Sequence, residues 1–556
     1  MAAGRVGEIS LVSGRDKRTK RRTSPSAKKR KGKAEQAPNF SLEIELKLAG
    51  TPGVLKDLWS NNLTEEEPAA VQHLVSTYFD TADLRLRRRG CSLRVRQKGG
   101  AFTQTIKEEG VANQNVTARG EWSVPLEGPE PDVTKFEDPT LRDKVGLILA
   151  DDLRPIFATH ITRHVKKIKV HVQGVGEALV EAAWDQGEVV AGDLRAEISE
   201  LELEVIDGMP GVLRHEASRL HTISPLEYQP LSKAARGFEL ALEERPRSVK
   251  MALPILTSDQ KLDDAMEAIF SACARSWLSN HAAAKDGTDI EGVHQVRVGL
   301  RRLHSAGTLF KSRLPKADRK WLLRTSKAIL SQFGAARDWD VFLDETLPPL
   351  LTARPVDGNL LILKERAETL RSRAYEDVRQ ALGEPAYLEF ILKLGSWIEE
   401  RGWRHGDDKA GKHRVIGKSG LAPFAGKVLA RHHAHVIKKG ENFDMLPDEA
   451  LHRLRIAVKK LRYATEFFAS LYPVDKTKPY IKALRQLQDD LGHLNDVAVA
   501  ESSLIKLSAC EGSAQRAELQ AGLGTLIGWY SHSLSLVRPR IGKDWAVFAS
   551  TQPFWE

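Results

Sequence analysis

Residues Ser41–Leu48, SLEIELKL, alternate without a slip: Leu42, Ile44, Leu46 and Leu48 fall on one side, Glu43, Glu45 and Lys47 on the other. Successive side chains of a β-strand point to opposite faces, so the three charges share one face of a sheet. A single such strand would be satisfied by solvent, but the pattern recurs. Arg94 and Arg96 alternate with Leu93 and Val95, and Thr103, Thr105 and Lys107 share a face of the next strand across a Gly99-Gly100 hairpin turn. Arg119 and Glu121 alternate again, open to reading as a structural cross-strand pair or as part of the same charged face. Arg163, Val165, Lys167 and Lys169 are spaced by two, and ISELELEV sets Glu200, Glu202 and Glu204 on one face. An antiparallel sheet of about eight strands with charged inner faces has one economical solution, closure into a barrel with a polar interior. Such an interior is stable only if opposite charges, water or a ligand compensate one another. Carboxylates converging with Lys and Arg point to a site that holds metal ions and a polyanion together.

The net charge of +10 is concentrated at one end. Residues 1–38 hold twelve Lys/Arg against Glu8, Asp16 and Glu35, so the rest of the chain is near neutral and any basic site in it is local. This tail is poor in apolar residues and is expected to be disordered, a solvated segment or a polyanion-binding arm. Cys91, Cys273 and Cys510 match no metal spacing and cannot all pair, which reads as reduced thiols in a cytoplasmic protein. No apolar run reaches transmembrane length, so no membrane partner is expected. A helical stretch is expected near Pro52–Leu63, an acidic turn at Glu65–Pro68, a second helical stretch around Leu141–Ala150, and a hairpin in ALVEAAWDQGEV turning at Asp185–Gly187.

EIELK, TYFDT, LRLRRRGCSLRVR, QTIK, RGE, FATHITR, DQGEV, ISELELEV and SKAARGFEL follow one another in order. Together they resemble the CYTH domain, the triphosphate tunnel metalloenzyme fold, over residues 39–241.

After a linker at 242–257 the pattern becomes helical, residues 258–540, with an internal repeat (units about 265–345 and 423–503). HQVRVGLRRLHSAGTLFKSRLP starts at His294 and HRLRIAVKKLRYATEFFASLYP at His452, 158 residues on; the same offset pairs Pro315 with Pro473, Gly334 with Gly492, Asp338 with Asp496 and Val341 with Val499. Between the copies a loose Gly/Lys/His loop is expected near Gly402–Gly420. On each repeated helix one stripe is basic: His294, Arg297, Arg301 and His304 in the first copy, His452, Arg455, Lys459 and Arg462 in the second, with Arg302 and Lys460 beside them. This half resembles the CHAD domain, and the order CYTH then CHAD is a known arrangement. The fold expected is therefore multidomain α+β, an N-terminal antiparallel eight-stranded β-tunnel followed by an all-α helical bundle with an internal duplication.

The resemblance implies an enzyme, a metal-dependent inorganic triphosphatase cleaving tripolyphosphate to pyrophosphate and phosphate. Lys47, Arg94, Arg96, Lys107, Arg163 and Lys233 would grip the substrate. Glu43, Glu45, Glu200, Glu202 and Glu204, with Asp185, would hold Mg²⁺ or Mn²⁺, and Glu43, Glu45 and Lys47 would be catalytic. For the second half it implies binding of long-chain polyphosphate by His294, Arg297, Arg301, Arg302, His304, His452, Arg455, Lys459, Lys460 and Arg462, with the histidines adding charge as pH falls. Alternatives in the same tunnel are thiamine triphosphatase and adenylate cyclase; in another class, an idle polyphosphate-binding protein associated with polyphosphate granules. No aromatic stacking platform or reading helix is evident, which confines nucleic acid to non-specific contacts with the tail. Nothing in the sequence sets the oligomeric state.

Overall fold

In the computed structural model, residues 40–63, 70–108, 110–113, 116–145, 152–405, 420–508 and 513–556 are described. The basic tail, the acidic turn at Glu65–Pro68, residues 146–150 of the second helical stretch, most of the Gly402–Gly420 loop and Cys510 lie outside them.

The N-terminal half runs β1 (Phe40–Ala49), α1 (Pro52–Asn61), β2 (Ala70–Thr81), α2 (Arg85–Arg88), β3 (Cys91–Lys98), β4 (Ala101–Glu108), β5 (Val111–Asn113), β6 (Val116–Leu126), α3 (Pro139–Val145), β7 (Leu153–Val172), β8 (Gly176–Ala191), β9 (Leu194–Gly208), α4 (Val212–Ile223), β10 (Glu227–Tyr228) and α5 (Lys233–Ala241). Antiparallel neighbours follow the order β1-β9-β8-β7-β2-β3-β4-β6, and β6 pairs back onto β1, so eight strands close into a barrel. Going round that order, β3 stands opposite β9. The short β5 and β10 add to the rims of β6 and β1.

Alternation decides what each face meets. The outward Leu46 and Leu48 of β1, Val180 and Ala182 of β8, and Leu201 and Leu203 of β9 are buried under Leu55 and Leu58 of α1 and Leu213 and Leu220 of α4, while the charged residues face inward. The expected turn at Asp185–Gly187 does not exist. Those residues lie in the middle of β8, opposite Glu200–Ile198 of β9, and the hairpin ends are at 173–175 and 192–193. The glycine there answers to a close approach: a Cβ on Gly187 would stand 1.9 Å from the His160 carbonyl oxygen of β7. Gly237 serves α5 in the same way, since a Cβ would meet the Phe157 ring at 2.0 Å. Its absence lets α5 lie on the barrel with Phe238 edge-on to Phe157, and the Ser232 cap, accepting from the Ala235 N–H, starts the helix so that Lys233 enters the barrel.

The C-terminal half comprises α6 (Leu262–Leu278), α7 (His281–Asp286), α8 (Ile290–Leu309), α9 (Lys316–Gln332), α10 (Gly334–Val341), α11 (Pro348–Ala353), α12 (Gly358–Gly383), α13 (Pro385–Glu399), α14 (Leu421–Lys439), α15 (Asp448–Phe468), α16 (Val474–Ser508) and α17 (Ser513–Ser550). Ile290 and Asp448, which open α8 and α15, stand 158 residues apart, as do Lys316 and Val474, which open α9 and α16. The copies differ at their ends: α9 stops before Gly334, whereas α16 runs on through Gly492. The faces opposite the basic stripes, Val296, Leu300 and Leu303 and their counterparts Leu454, Val458 and Leu461, are fully buried. The two halves share one continuous apolar core. Helix α4 lies on α13, where the buried Arg214 pairs with Glu399 and His221 bonds the Pro385 carbonyl oxygen. Cys91 and Cys273 are buried thiols. Among the described residues no helix is long and apolar enough to cross a membrane.

Candidate active site

The barrel encloses a cavity of about 270 Å³ lined by Glu43, Lys47, Arg94, Arg96, Lys107, Arg163, Glu202, Glu204 and Lys233 among others. Glu45, Asp185 and Glu200, the remaining tunnel residues expected from sequence, are buried against these side chains. Strand register explains the convergence: Glu43 is opposite Arg119, Lys47 opposite Glu202, Glu45 opposite Glu204, Lys107 opposite Glu121, Arg163 opposite Asp185, and Asp185 opposite Glu200.

Two ion-pair groups result. In the first, Lys107 Nζ donates to both Glu43 oxygens at 2.7 and 2.9 Å and lies 2.7 Å from Glu121. Arg119 bridges Glu43 and, at 2.6 Å, Glu45, and Lys47 pairs with Glu45 and with Glu202 at 3.0 Å. In the second, Arg163 grips Asp185 with two hydrogen bonds of 2.7 and 2.6 Å. Lys233 reaches Asp185 at 2.6 Å, Glu202 at 3.0 Å and Glu200, and Arg236 closes on Glu200. Burial opposes ionisation of Glu43, yet Lys107 and Arg119 hold its carboxyl well below the usual range. Against burial, Asp185, Glu200 and Glu202 hold Lys233, and Glu202 and Glu45 hold Lys47, above the ordinary ammonium value. Lys107 goes the other way, lowered by burial, Arg94 and Arg119.

Two features of the tunnel are left uncompensated. On β3, Arg94 and Arg96 form no ion pair among the described residues; Arg96 donates to Ser76 Oγ at 3.1 Å. Burial, Arg94 and Arg163 push its guanidinium down to about 9. On the opposite wall Glu204 forms no ion pair among the described residues either. It faces Glu181 across the β8–β9 ladder, and burial, then Glu43, push it up to about 7. Like charges are thus crowded on both walls, cationic on β3 and anionic on β9.

These observations test the fit of a divalent cation. Asp185, Glu200 and Glu202 offer oxygens within 4.8 Å of one another, but Arg163, Lys233 and Arg236 already neutralise them. Glu204 and Glu181, which form no ion pair among the described residues, are where negative charge is in excess, with Glu43 beside them held by Lys107 and Arg119, and an all-carboxylate donor set suits Mg²⁺ or Mn²⁺. Among the described residues the tunnel is balanced, eight cationic side chains against eight carboxylates once Arg119, Glu121, Glu181 and Arg236 are counted. A polyanion entering alone would leave it strongly negative, so cations must accompany one. The sequence left Arg119–Glu121 open, and both side chains prove to be inside. Glu181 was missed because its neighbours on β8 are small and apolar, and Tyr78 because it is itself uncharged and belongs to no charged row; its ring lines the tunnel, stacked on Phe157.

The basic stripes of the helical half are less exposed than expected. Arg297 donates to the Leu330 carbonyl oxygen at 2.9 Å, and burial, then Arg301, push it down to about 10. His294 is pushed down to about 4 by burial and Arg337, and burial lowers His304 as well. Burial thus works against the gain of charge on mild acidification that was expected of these two imidazoles. Arg302 and Arg462 both pair with Glu466, at 3.3 and 2.9 Å. Arg301, Arg455 and Lys459 are half-buried, and His452 and Lys460 are exposed.

Among known proteins, the family model described as the CYTH domain matches residues 41–238, and that described as the CHAD domain matches residues 268–504. An inorganic triphosphatase of Haemophilus influenzae is 29% identical over 209 residues, 36% of this chain and 56% of that relative. The chain thus spans little more than half the relative's length. An uncharacterized protein of Mycobacterium tuberculosis is 24% identical over 493 residues, 82% of this chain and 86% of that protein. The crystal structure of the CHAD domain from the plant Ricinus communis superposes with a TM-score of 0.47 at 29% identity, covering 55% of this chain and 97% of that one. Residues 41–238 of this chain are a CYTH domain and residues 268–504 are a CHAD domain.

Proposed function

We propose that the tunnel is the active site of a metal-dependent inorganic triphosphatase, hydrolysing tripolyphosphate to pyrophosphate and phosphate, and that the helical domain binds longer polyphosphate. The observation that carries this reading is the pair of carboxylate-free guanidiniums, Arg94 and Arg96, facing the acid-rich β9 across a closed barrel. The Haemophilus relative supports the choice of reaction. Phosphoryl transfer needs positioning and charge neutralisation rather than a protein nucleophile. Arg94, Arg96 and Lys107 supply cationic donors on one side. Glu43, Glu204 and Glu181 would hold the divalent cation on the other, where it would neutralise phosphate charge and polarise the attacking water. Lys47 and Lys233, locked as ammoniums, keep the acid wall in shape.

Among the described residues the cavity is lined by one aromatic ring, Tyr78, which gives no pair of rings there to sandwich a purine or thiamine. Phosphate release from tripolyphosphate, ATP and thiamine triphosphate, with and without Mg²⁺, tests this directly. Tripolyphosphate should be preferred by at least about tenfold, roughly 1.4 kcal/mol, and turnover should vanish without metal. A preference for either organic substrate overturns the substrate assignment, and no turnover with intact polyphosphate binding favours the idle reading.

Mg²⁺ binding should depend on pH with a definite sign. Glu204 carries its proton below about 7, and a cation binds the carboxylate form. Affinity should rise about tenfold per pH unit up to pH 7 and level off above it. Calorimetry at pH 6 in two buffers of different ionisation enthalpy should detect close to one proton released per ion, and none in Glu204→Gln.

A further inference from the structure

The helical duplication places two related half-sites where α8 and α15 pack together. The 158-residue offset makes Arg302 the counterpart of Lys460, His304 that of Arg462, and Thr308 that of Glu466. In one half Glu466 sits between Arg302 and Arg462, as described above, all three at least partly buried. Arg302 there faces the buried thiol of Cys273.

In the other half the acid is missing. Thr308 stands in place of Glu466, its hydroxyl donating to the His304 carbonyl oxygen at 3.1 Å. Lys460 lies near both His304 and His432, with Lys327 beside the first and Lys311 and Arg431 beside the second. Lys460, Lys311, Lys327 and Arg431 are exposed, and none of them pairs with a carboxylate among the described residues. Lys311 itself has Ala469 as its counterpart in the closed half.

Resting on the reading that the helical domain binds polyphosphate, we infer that its site is one-sided: the phosphate chain binds at the open half, Lys460 with His304, His432, Lys311 and Arg431, while Glu466 serves as a built-in anion that keeps the Arg302–Arg462 half shut. Ammonium and guanidinium groups supply charge, the His432 imidazole contributes an N–H donor, and His304, whose Nδ1 lies 3.3 Å from Ser326 Oγ, lines the half-site. The duplication thus yields one binding half and one structural half from the same helix pair.

The test measures binding of an end-labelled long-chain polyphosphate to the full chain in EDTA at physiological salt, each variant first checked by thermal unfolding. Thr308→Glu, which copies the acid into the open half, and Lys460→Gln should each weaken binding by about tenfold or more, whereas Arg302→Gln should change it by less than about threefold. Glu466→Thr should tighten binding by uncovering the second half. An Arg302→Gln loss equal to that of Lys460→Gln, or a neutral Thr308→Glu, overturns the one-sided site. Binding that none of the four substitutions alters overturns the helical-domain reading itself. Lys460 is exposed, so its variant keeps the test decisive if Thr308→Glu fails to fold.

Discussion

The double substitution Arg94→Met/Arg96→Met should lower tripolyphosphate turnover by about 10³-fold or more and at the same time make the protein harder to unfold. The two effects share a cause. Every other buried cation in the tunnel except these two has a carboxylate partner, so removing Arg94 and Arg96 leaves no acid unpaired. What it removes is the repulsion between them and the cost of burying them, which already drive Arg96 down to about 9. Replacing uncompensated buried charge by apolar side chains of similar length typically stabilises by about 1–4 kcal/mol, against roughly 1 kcal/mol for the lost hydrogen bond to Ser76. The melting temperature without ligand should therefore rise by a few degrees. It should also stop responding to tripolyphosphate, which raises it in the wild type. Lost activity with lowered stability would mean that the pair is structural, and retained activity would place substrate elsewhere.

The barrel was legible because charge alternates with apolar residues at period two on strand after strand, a pattern that no helix accommodates and that, carrying both carboxylates and Lys/Arg on so many strands, favours closure around a polar interior. Which charge meets which was not legible, since register depends on how the strands close. Glu43 faces Arg119 only because β6 returns to β1. Asp185 shows the limit of local rules. Asp-x-Gly is a turn signal, yet Gly187 is there for the His160 carbonyl of the neighbouring strand, which leaves Asp185 free to enter the acid wall. Glu181 shows the opposite failure, a tunnel-lining position with no charged row around it. In the helical half the stripe was visible but its burial was not, so His294 read as a pH-responsive charge when its surroundings keep it neutral. The role of Glu466 could not be read from its own helix, where it is an ordinary i,i+4 partner of Arg462; the bond to Arg302 comes from the crossing.

Lys233→Met should have the opposite signature to the arginine pair, a large loss of stability that metal partly restores. Lys233 was expected among the substrate-gripping cations, but its ammonium lies within 3.0 Å of Asp185, Glu200 and Glu202. Deleting one partner of a buried charge group leaves the others uncompensated and costs about 3–5 kcal/mol, roughly 10 °C in melting temperature for a domain of this size. The pH dependence fixes the cause. Asp185 is held below its ordinary 3.8 and Glu202 well below its ordinary 4.5, in each case against burial and with Lys233 as the main opposing charge. Carboxylates depressed in the folded state contribute stability that is present above their unfolded values and lost as pH falls through their folded ones. The wild type should therefore exceed Lys233→Met by the full margin at pH 7. The gap should narrow below about pH 5, where the variant's acids take up protons and need no counter-charge. Mg²⁺ at neutral pH should narrow it too, since Asp185, Glu200 and Glu202 can then share a cation in place of the ammonium. A gap independent of pH would show that Lys233 acts through packing of its methylenes on the tunnel wall. A gap that closes with acid but ignores Mg²⁺ would confine the metal to the Glu204 side. In either metal outcome, a Lys233→Met variant that keeps its affinity for tripolyphosphate would remove Lys233 from the substrate-binding set and leave it as the counter-ion that lets three acids face one tunnel.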